Sequence, residues 1–216
     1  MSTKTITYAD MVVEILSRVN DAGGDVYLER AKELIYEGIS SLAVSEGVSP
    51  DDIRGLIKSD VIDVSLLNEK WKIRVKGSTY ATNAANYIDL TTNPAKIINI
   101  IDDLTVTEAE TEDGITEHRY VKLSLAEVNR LNDSDYRPFN DEIFYYDRGD
   151  YVYFYPKDRM NTQILVVTYI AEPDQYTYAP QHISGHSPLH DDFSLSFLYK
   201  TMDYCVGRIR EQQSGE

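Results

Sequence analysis

The sequence predicts an α+β fold, in which a helical bundle formed by N-terminal helices and a C-terminal helix carries an inserted, mainly antiparallel β-sheet or sandwich. Apolar residues recur with the period of a helix at both ends of the chain, whereas the middle shows the two-residue alternation of strands. The 216 residues suffice for one large domain or a core with a sizeable insertion. We therefore expect a helical body at 1–60 and 191–216, an inserted β domain with a short helix at 61–172, and an extended loop or arm at 173–190.

Three short amphipathic helices are predicted in the first sixty residues. Thr7 and Asp10 form a capping box for the first helix, and Asp25 is expected to cap a second, longer one. The segment Ser49-Pro50-Asp51-Asp52 supplies a cap, a first-turn proline and acidic first-turn residues for a third. Tight connections between these helices indicate one packed unit. The apolar stripes of the first two are Met11, Val12, Ile15, Leu16 and Val19, and Leu28, Ala31, Ile35, Ile39 and Leu42.

Beyond Asp60 the apolar pattern becomes that of strands. Segments 87–90, 97–101 and 164–170 predict strands, and the capping box of Ser124 and Glu127 predicts a short helix. Segments 143–146 and 151–155 flank a turn built around Gly149, which predicts a β-hairpin. One more strand has an apolar face that alternates with a basic face: Trp71, Ile73 and Val75 against Lys70, Lys72, Arg74 and Lys76.

The last helix is predicted to open at Asp191-Asp192 and to end before a frayed tail at 211–216. Cys205 lies in its apolar pattern, so a buried thiol is expected. The preceding arm, 173–190, is rich in Pro, Gly, Tyr and His, which is typical of a long ordered loop. The apolar face of the helix consists of Phe193, Phe197, Leu198, Met202, Cys205, Val206 and Ile209.

The charge balance narrows the classes of function. With 21 basic and 36 acidic residues, the chain has a formal charge of −15 and repels phosphate, which argues against sequence-reading nucleic-acid binding. A surface that faces DNA without binding it tightly remains an alternative. The single cysteine excludes an internal disulfide framework and a Cys-based zinc site. Residues 1–6 lack the apolar core of a signal peptide and no stretch approaches a membrane span, so we expect assembly in a cytoplasm and no membrane partner.

The sequence shows no convincing catalytic or metal-binding motif. His182, His186 and His190 recur every four residues, but the prolines and the glycine between them argue against the helix that would align them. The segment 184–187 lacks the nucleophile elbow of a serine hydrolase, and no glycine-rich phosphate loop follows a strand. We therefore expect no catalytic activity, no cofactor and no metal.

Two sets of residues are candidate interaction sites. The basic strand face of Lys70, Lys72, Arg74 and Lys76 is a candidate for facing DNA or an acidic partner; the alternative is a solvated or internally paired face. The second set is a candidate protein interface, because aromatic residues concentrate at interface cores. The alternative is an arm that covers the monomer's own sheet. Its members are Tyr176, Tyr178, His182, Arg208 and Arg210.

The order of elements resembles that of the head-to-tail adaptor proteins of tailed bacteriophages, the ring proteins that bind beneath the portal. The resemblance is carried by the helical pair 8–42, the run Pro-Ala-Lys-Ile-Ile-Asn-Ile-Ile at 94–101 and the Ser-Leu-Ala-Glu-Val helix after Leu123. It continues through the hairpin 143–156, the strand 164–169 that leads to Glu172-Pro173, and the Asp-Asp-Phe start of the last helix. The long arm and the short tail after Ile209 depart from the family's pattern.

This resemblance implies a ring of twelve copies at the head–tail junction of a virion, lining part of the DNA channel. Its partners would be the portal protein and downstream tail or neck proteins, with DNA passing through. A net negative charge suits such a channel, because it repels phosphate. The alternatives are another tail or baseplate component, or a carbohydrate-binding or enzymatic β-rich module whose tyrosines line a sugar site. Helices on both sides of the sheet favour the adaptor.

Overall fold

The computed structural model describes residues 6–64, 69–74, 94–102, 118–131, 136–149, 151–160, 164–173, 189 and 191–215. The prediction of an α+β fold is confirmed. The chain divides into two compact units, Met1–Ile57 with Ile170–Glu216, and Lys58–Tyr169. We call them the helical unit and the sheet unit. The predicted strand at 87–90 lies outside the described residues, as does the arm between Pro173 and Leu189.

The helices and strands follow one another in a simple order. The α-helices are α1 (Tyr8–Arg18), α2 (Leu28–Ala43), α3 (Leu125–Val128) and α4 (Leu195–Ser214), and the 3₁₀-helices are Pro50–Leu56 and Lys157–Arg159. The strands are β1 (Ile57–Asp63), β2 (Lys72–Arg74), β3 (Pro94–Asp102), β4 (Arg119–Lys122), β5 (Glu142–Arg148), β6 (Tyr151–Tyr155) and β7 (Ile164–Ala171).

The predicted capping boxes are confirmed. Thr7 Oγ1 accepts a hydrogen bond from Asp10 N at 3.1 Å, and the Asp10 carboxylate accepts one from Thr7 N at 2.9 Å. Ser124 and Glu127 form the same reciprocal pair at the start of α3. Each box satisfies backbone donors that the first turn of a helix leaves without a partner.

The predicted start of α2 is wrong in detail, whereas the cap predicted for the third helix is confirmed. Asp21, not Asp25, organises the start of α2: its carboxylate accepts from the backbone N–H groups of Asp25, Val26 and Tyr27. The carboxylate thus holds the whole turn before the helix, which a single N-cap residue does not do. The predicted third helix is a 3₁₀-helix, with Ser49 as its cap.

The C-terminal helix also differs at both ends. Its N-cap is Ser194, whose Oγ accepts from Phe197 N at 3.1 Å, so α4 begins after the predicted Asp191-Asp192. Asp192 instead uses its carbonyl to accept from Gly55 N at 2.9 Å. The predicted frayed tail is helical through Ser214 and ends at Gly215 with φ 76°. That left-handed conformation suits glycine and closes the helix.

The helical unit is built around one apolar cluster. Residues of α1, α2, the first 3₁₀-helix and α4 contribute to it, and two of its members, Phe193 and Phe197, stack with ring centroids 5.4 Å apart. α2 and α4 approach closely at Gly38, where an added Cβ would lie 3.1 Å from the side chains of Thr201 and Tyr204. Cys205 is fully buried as expected.

The sheet unit contains two sheets. A three-stranded sheet has the order β1-β7-β3, and a four-stranded sheet has the order β2-β6-β5-β4. The predicted hairpin is confirmed, since β5 and β6 pair antiparallel around Gly149, whose φ is 62°. β4 pairs parallel with β5, so this sheet is mixed. The apolar pattern of β4 alone carries no sign of that parallel pairing.

Candidate functional site

The outer face of the four-stranded sheet carries a cluster of aromatic and cationic side chains. In β6, Val152 and Phe154 are buried on one side, whereas the three tyrosines on the other side are half-buried. The register places Lys72 opposite Tyr153, and Tyr153 opposite Tyr146, so these three form one row across the sheet. We call the cluster the aromatic–cation face; its members are Trp71, Lys72, Tyr146, Tyr151, Tyr153 and Lys157.

Three rings of this face lie in series. Tyr146 and Tyr153 are stacked, with centroids 5.3 Å apart and planes 10° from parallel. Trp71 continues the series, with its ring centroid 5.8 Å from that of Tyr153. Tyr151 lies beside Tyr153 at 6.1 Å. The result is a nearly continuous aromatic surface of half-buried rings on a strand scaffold.

Two lysines lie over these rings. Lys157 Nζ is 3.8 Å from the centroid of the Trp71 ring, and Lys72 Nζ is 4.7 Å from that of Tyr151. Both distances are within the range of cation–π attraction. Lys72 also pairs with the Glu69 carboxylate at 2.7 Å, and this hydrogen bond raises the pKa of the lysine above its usual value. The ammonium group of Lys72 is therefore charged at neutral pH.

The phenol of Tyr146 stays protonated in the same range. Burial, followed by the neighbouring Tyr153, raises the pKa of Tyr146 above its usual value, although Arg148 acts in the opposite direction. A protonated phenol donates and accepts hydrogen bonds and carries no charge. The face therefore offers uncharged rings with polar tips beside fixed positive charges.

The predicted basic strand face is partly reorganised. Lys72 points to the outer side as predicted, but it is engaged by Glu69 and by two rings. Arg74 occupies a register position opposite Tyr151, but its side chain lies outside the described part of the structure. Lys76 lies entirely outside the described residues. Lys70 lies in the turn before β2.

Trp71 was predicted on the apolar side of this strand, and that assignment is wrong. Its ring packs against Tyr153, which belongs to the outer side, because Trp71 precedes the first residue of β2 and escapes the alternation. Ile73 alone fulfils the predicted inward position among the described apolar residues of the strand, at 1% exposure.

Arg208 and Arg210, two predicted interface residues, belong to α4. Arg208 pairs with Glu211 at 2.8 Å on the solvent side of the helix. Arg210 donates to the carbonyl of Arg18 at 3.0 Å, at the end of α1. It thereby satisfies a backbone acceptor that a helix end leaves unpaired, which gives Arg210 a role within the fold. Tyr176, Tyr178 and His182 lie outside the described residues.

A second polar cluster, which sequence analysis did not predict, joins β3 to β4. The buried carboxylate of Asp102 accepts from His118 N at 2.7 Å and from the hydroxyl of Tyr120 at 2.6 Å, and it lies 3.1 Å from His118 Nδ1. Burial, followed by Asp102, raises the pKa of Tyr120 well above its usual range. The phenol therefore remains a hydrogen-bond donor to the carboxylate.

This cluster borders an open cavity of about 390 Å³ lined by Asn99, Ile100, Ile101, His118, Arg119, Tyr120 and Asp141. The described lining contains no serine, threonine or cysteine nucleophile that the Asp102–His118 pair could activate. The three hydrogen bonds instead fasten two strands that belong to different sheets. Across the described ranges, no three His, Cys, Asp or Glu side chains lie close enough together to hold a metal ion.

Comparison with known proteins adds no family assignment, since neither a family model nor a curated protein matches this chain at a significant level. Among the helices that the structure describes, none has the length and apolar character needed to cross a membrane.

The sequence contains one signal for the aromatic–cation face. In Tyr151-Val152-Tyr153-Phe154-Tyr155 the alternation places three tyrosines on one side of a strand. The approach of Lys157 to Trp71 has no such signal, because it depends on the 3₁₀-helix Lys157–Arg159. The Asp102 cluster has none either, since its members are joined only by pairing across sixteen or more residues.

Proposed function

We propose that this chain is a structural head-to-tail adaptor of a tailed bacteriophage, which works by assembling with copies of itself and with the portal and neck proteins. The observation that carries the proposal is the aromatic–cation face. Tyrosine and tryptophan rings on a rigid sheet are typical of protein interfaces, because large rings with polar ends provide contact area at low entropic cost. The resemblance in the order of elements supports the same assignment.

The charge of the chain supports a place beside a DNA channel. A formal charge of −15 repels phosphate, so DNA would slide past the ring without binding it. The face itself concentrates positive charge within an acidic protein, as a contact that selects an acidic protein surface requires.

A carbohydrate-binding module is the second candidate, and the row of three rings favours it, because sugars stack on exposed aromatic faces. The position of Lys157 argues against it. Its ammonium group lies 3.8 Å from the centroid of the Trp71 ring, on a ring face where a sugar would stack. Titration calorimetry with a panel of oligosaccharides separates the two candidates. A carbohydrate-binding module should give a heat of binding, and an adaptor should give none.

The adaptor is tested by mixing the purified chain with the portal protein encoded in the same genome. Negative-stain microscopy and native mass spectrometry should show a ring of the chain bound beneath the portal. A chain that gives no complex with the portal contradicts the proposal. A Tyr146→Ala, Tyr153→Ala variant provides the link to the face: it should stay folded by circular dichroism and lose most of the complex.

The arm remains a separate prediction, because its residues between Pro173 and Leu189 lie outside the described part of the chain. Both flanking positions are bonded to the helical unit: the Tyr36 hydroxyl donates to Pro173 O at 3.0 Å, and Leu189 N donates to Ile6 O at 3.1 Å. A Tyr176→Ala, Tyr178→Ala variant that assembles normally but melts several degrees lower would assign the arm to the monomer's own fold. An unchanged midpoint with failed assembly supports a contact role.

A further inference from the structure

The aromatic–cation face carries more positive than negative charge, which favours an acidic partner. Lys72 and Lys157 lie on the rings, and Arg148 is close enough to influence Tyr146. The Glu69 carboxylate pairs with Lys72 at this face, so three described cations lie beside it. The face is therefore locally positive, although the chain as a whole is strongly acidic.

We infer that this face binds the acidic surface of a second copy of the same chain, so that copies join head to tail. The inference rests on the proposed assembly function and names the surface and the partner. Its basis is complementarity of charge: 36 acidic residues against 21 basic ones make the remaining exterior of a copy negative on average. A positive patch on one copy and a negative exterior on the next attract each other.

The same charges argue against a contact between like faces. In a two-fold contact the patch of one copy meets the same patch of the other. The two positive faces would then lie against each other, and the repulsion of like charges at an interface is costly. A contact between unlike surfaces leaves each copy with one used and one free surface, which is the arrangement that builds rings.

The rings contribute the remaining part of the contact. Tyr146, Tyr153 and Trp71 are half-buried in the isolated chain and pack on one another. A partner that covers them removes apolar surface from water without first ordering flexible side chains. Carboxylates of the partner would then meet the ammonium groups at the edge of the stack.

The test is a charge reversal with a matched control. The variant Lys72→Glu, Lys157→Glu reverses the face, and the control Lys58→Glu, Lys96→Glu reverses two exposed lysines on β1 and β3 of the other sheet. Both variants change the net charge equally, so any general repulsion between copies is the same in both. Sedimentation velocity of each purified protein, without portal, measures self-association.

We expect the face variant to weaken self-association at least about tenfold relative to the control. A Lys72→Gln, Lys157→Gln variant should give a smaller loss in the same direction, and it covers the case in which the reversal disturbs the sheet. Face and control variants that associate equally well overturn the inference. So does a wild-type chain with no self-association tighter than about 1 mM; binding to the portal then still decides the adaptor proposal by itself.

Mixing distinguishes head-to-tail from like-face contact. The face variant keeps its acidic exterior, so this exterior can still bind the face of a wild-type copy. Its own reversed face cannot bind the next copy, so the assembly stops there. Adding it to wild-type protein should therefore reduce the mean assembly size in proportion to its share. If wild-type assemblies keep their size in the mixture and do not incorporate the variant, the head-to-tail arrangement is overturned.

Discussion

Each of the two units contains a stacked pair of aromatic rings, and the pairs differ mainly in their surroundings. Phe193 and Phe197 stack at 5.4 Å and 16° in the helical unit, and Tyr146 and Tyr153 stack at 5.3 Å and 10° in the sheet unit. The phenylalanines are at most 1% exposed, whereas the tyrosines are half-buried on an outer face. The same ring geometry thus stabilises a core in one unit and presents a surface in the other.

The strongest test of this comparison is truncation of one ring from each pair. Phe197→Ala should lower the free energy of unfolding by about 3–5 kcal/mol, the usual cost of a buried phenylalanine. Tyr153→Ala should cost no more than about 2 kcal/mol, because a half-buried strand position loses mainly cross-strand contacts. Urea unfolding followed by circular dichroism measures both. Equal losses would mean that the tyrosine stack is part of a core.

A pair of glycines probes how tightly the helical unit is packed. An added Cβ at Gly55 would lie 2.5 Å from Asp192 Cβ, so Gly55→Ala should destabilise by about 1–3 kcal/mol through overpacking. Gly207 lies in α4 with nothing within 4 Å of the new atom, so Gly207→Ala should stabilise by about 0.5–1 kcal/mol. Thermal and urea unfolding of the two variants should move in opposite directions. A neutral Gly55→Ala variant would contradict the close approach of the two segments.

Alkaline pH should destabilise the helical unit through its buried thiol. Burial, with a further contribution from Glu37, raises the pKa of Cys205 to about 12. The unfolded thiol ionises near pH 8.5–9, so its contribution is complete below that pH and is lost as pH rises towards 12. Between these limits the wild-type free energy of unfolding should fall about 1.4 kcal/mol per pH unit faster than that of Cys205→Ala. Parallel profiles from pH 9 to 10.5 would show that the thiol ionises equally in both states.

The smallest effect is expected on the outer face of the sheet. Lys157→Gln removes the ammonium group over Trp71 and should change the free energy of unfolding by no more than about 1 kcal/mol, the value of an exposed cation–π contact. Lys58→Gln provides the control for removing a lysine charge from the sheet unit. A loss of 3 kcal/mol or more in Lys157→Gln would make the lysine a structural element and weaken its assignment to an interface, since surface substitutions seldom cost that much.

Local rules explain which parts of the fold could be predicted. The capping boxes at Thr7 and Ser124 and the turn at Gly149 depend on residues within four positions of each other, so the sequence displays them directly. The start of α2 was misassigned because Asp21 acts on three backbone donors four to six residues away. Asp25 at the expected position resembles a cap, but its own N–H is held by Asp21.

By itself, the sequence determined the class of fold, the hairpin, the buried thiol and the acidic charge, because composition and short-range periodicity suffice for each. Tertiary structure decided which side chains come together. Lys157 reaches Trp71 across more than eighty residues. Asp102 accepts hydrogen bonds from Tyr120, in a strand of the other sheet, and from His118, which directly precedes that strand. Such contacts follow from strand order and register, and local periodicity carries no information about which distant strands pair.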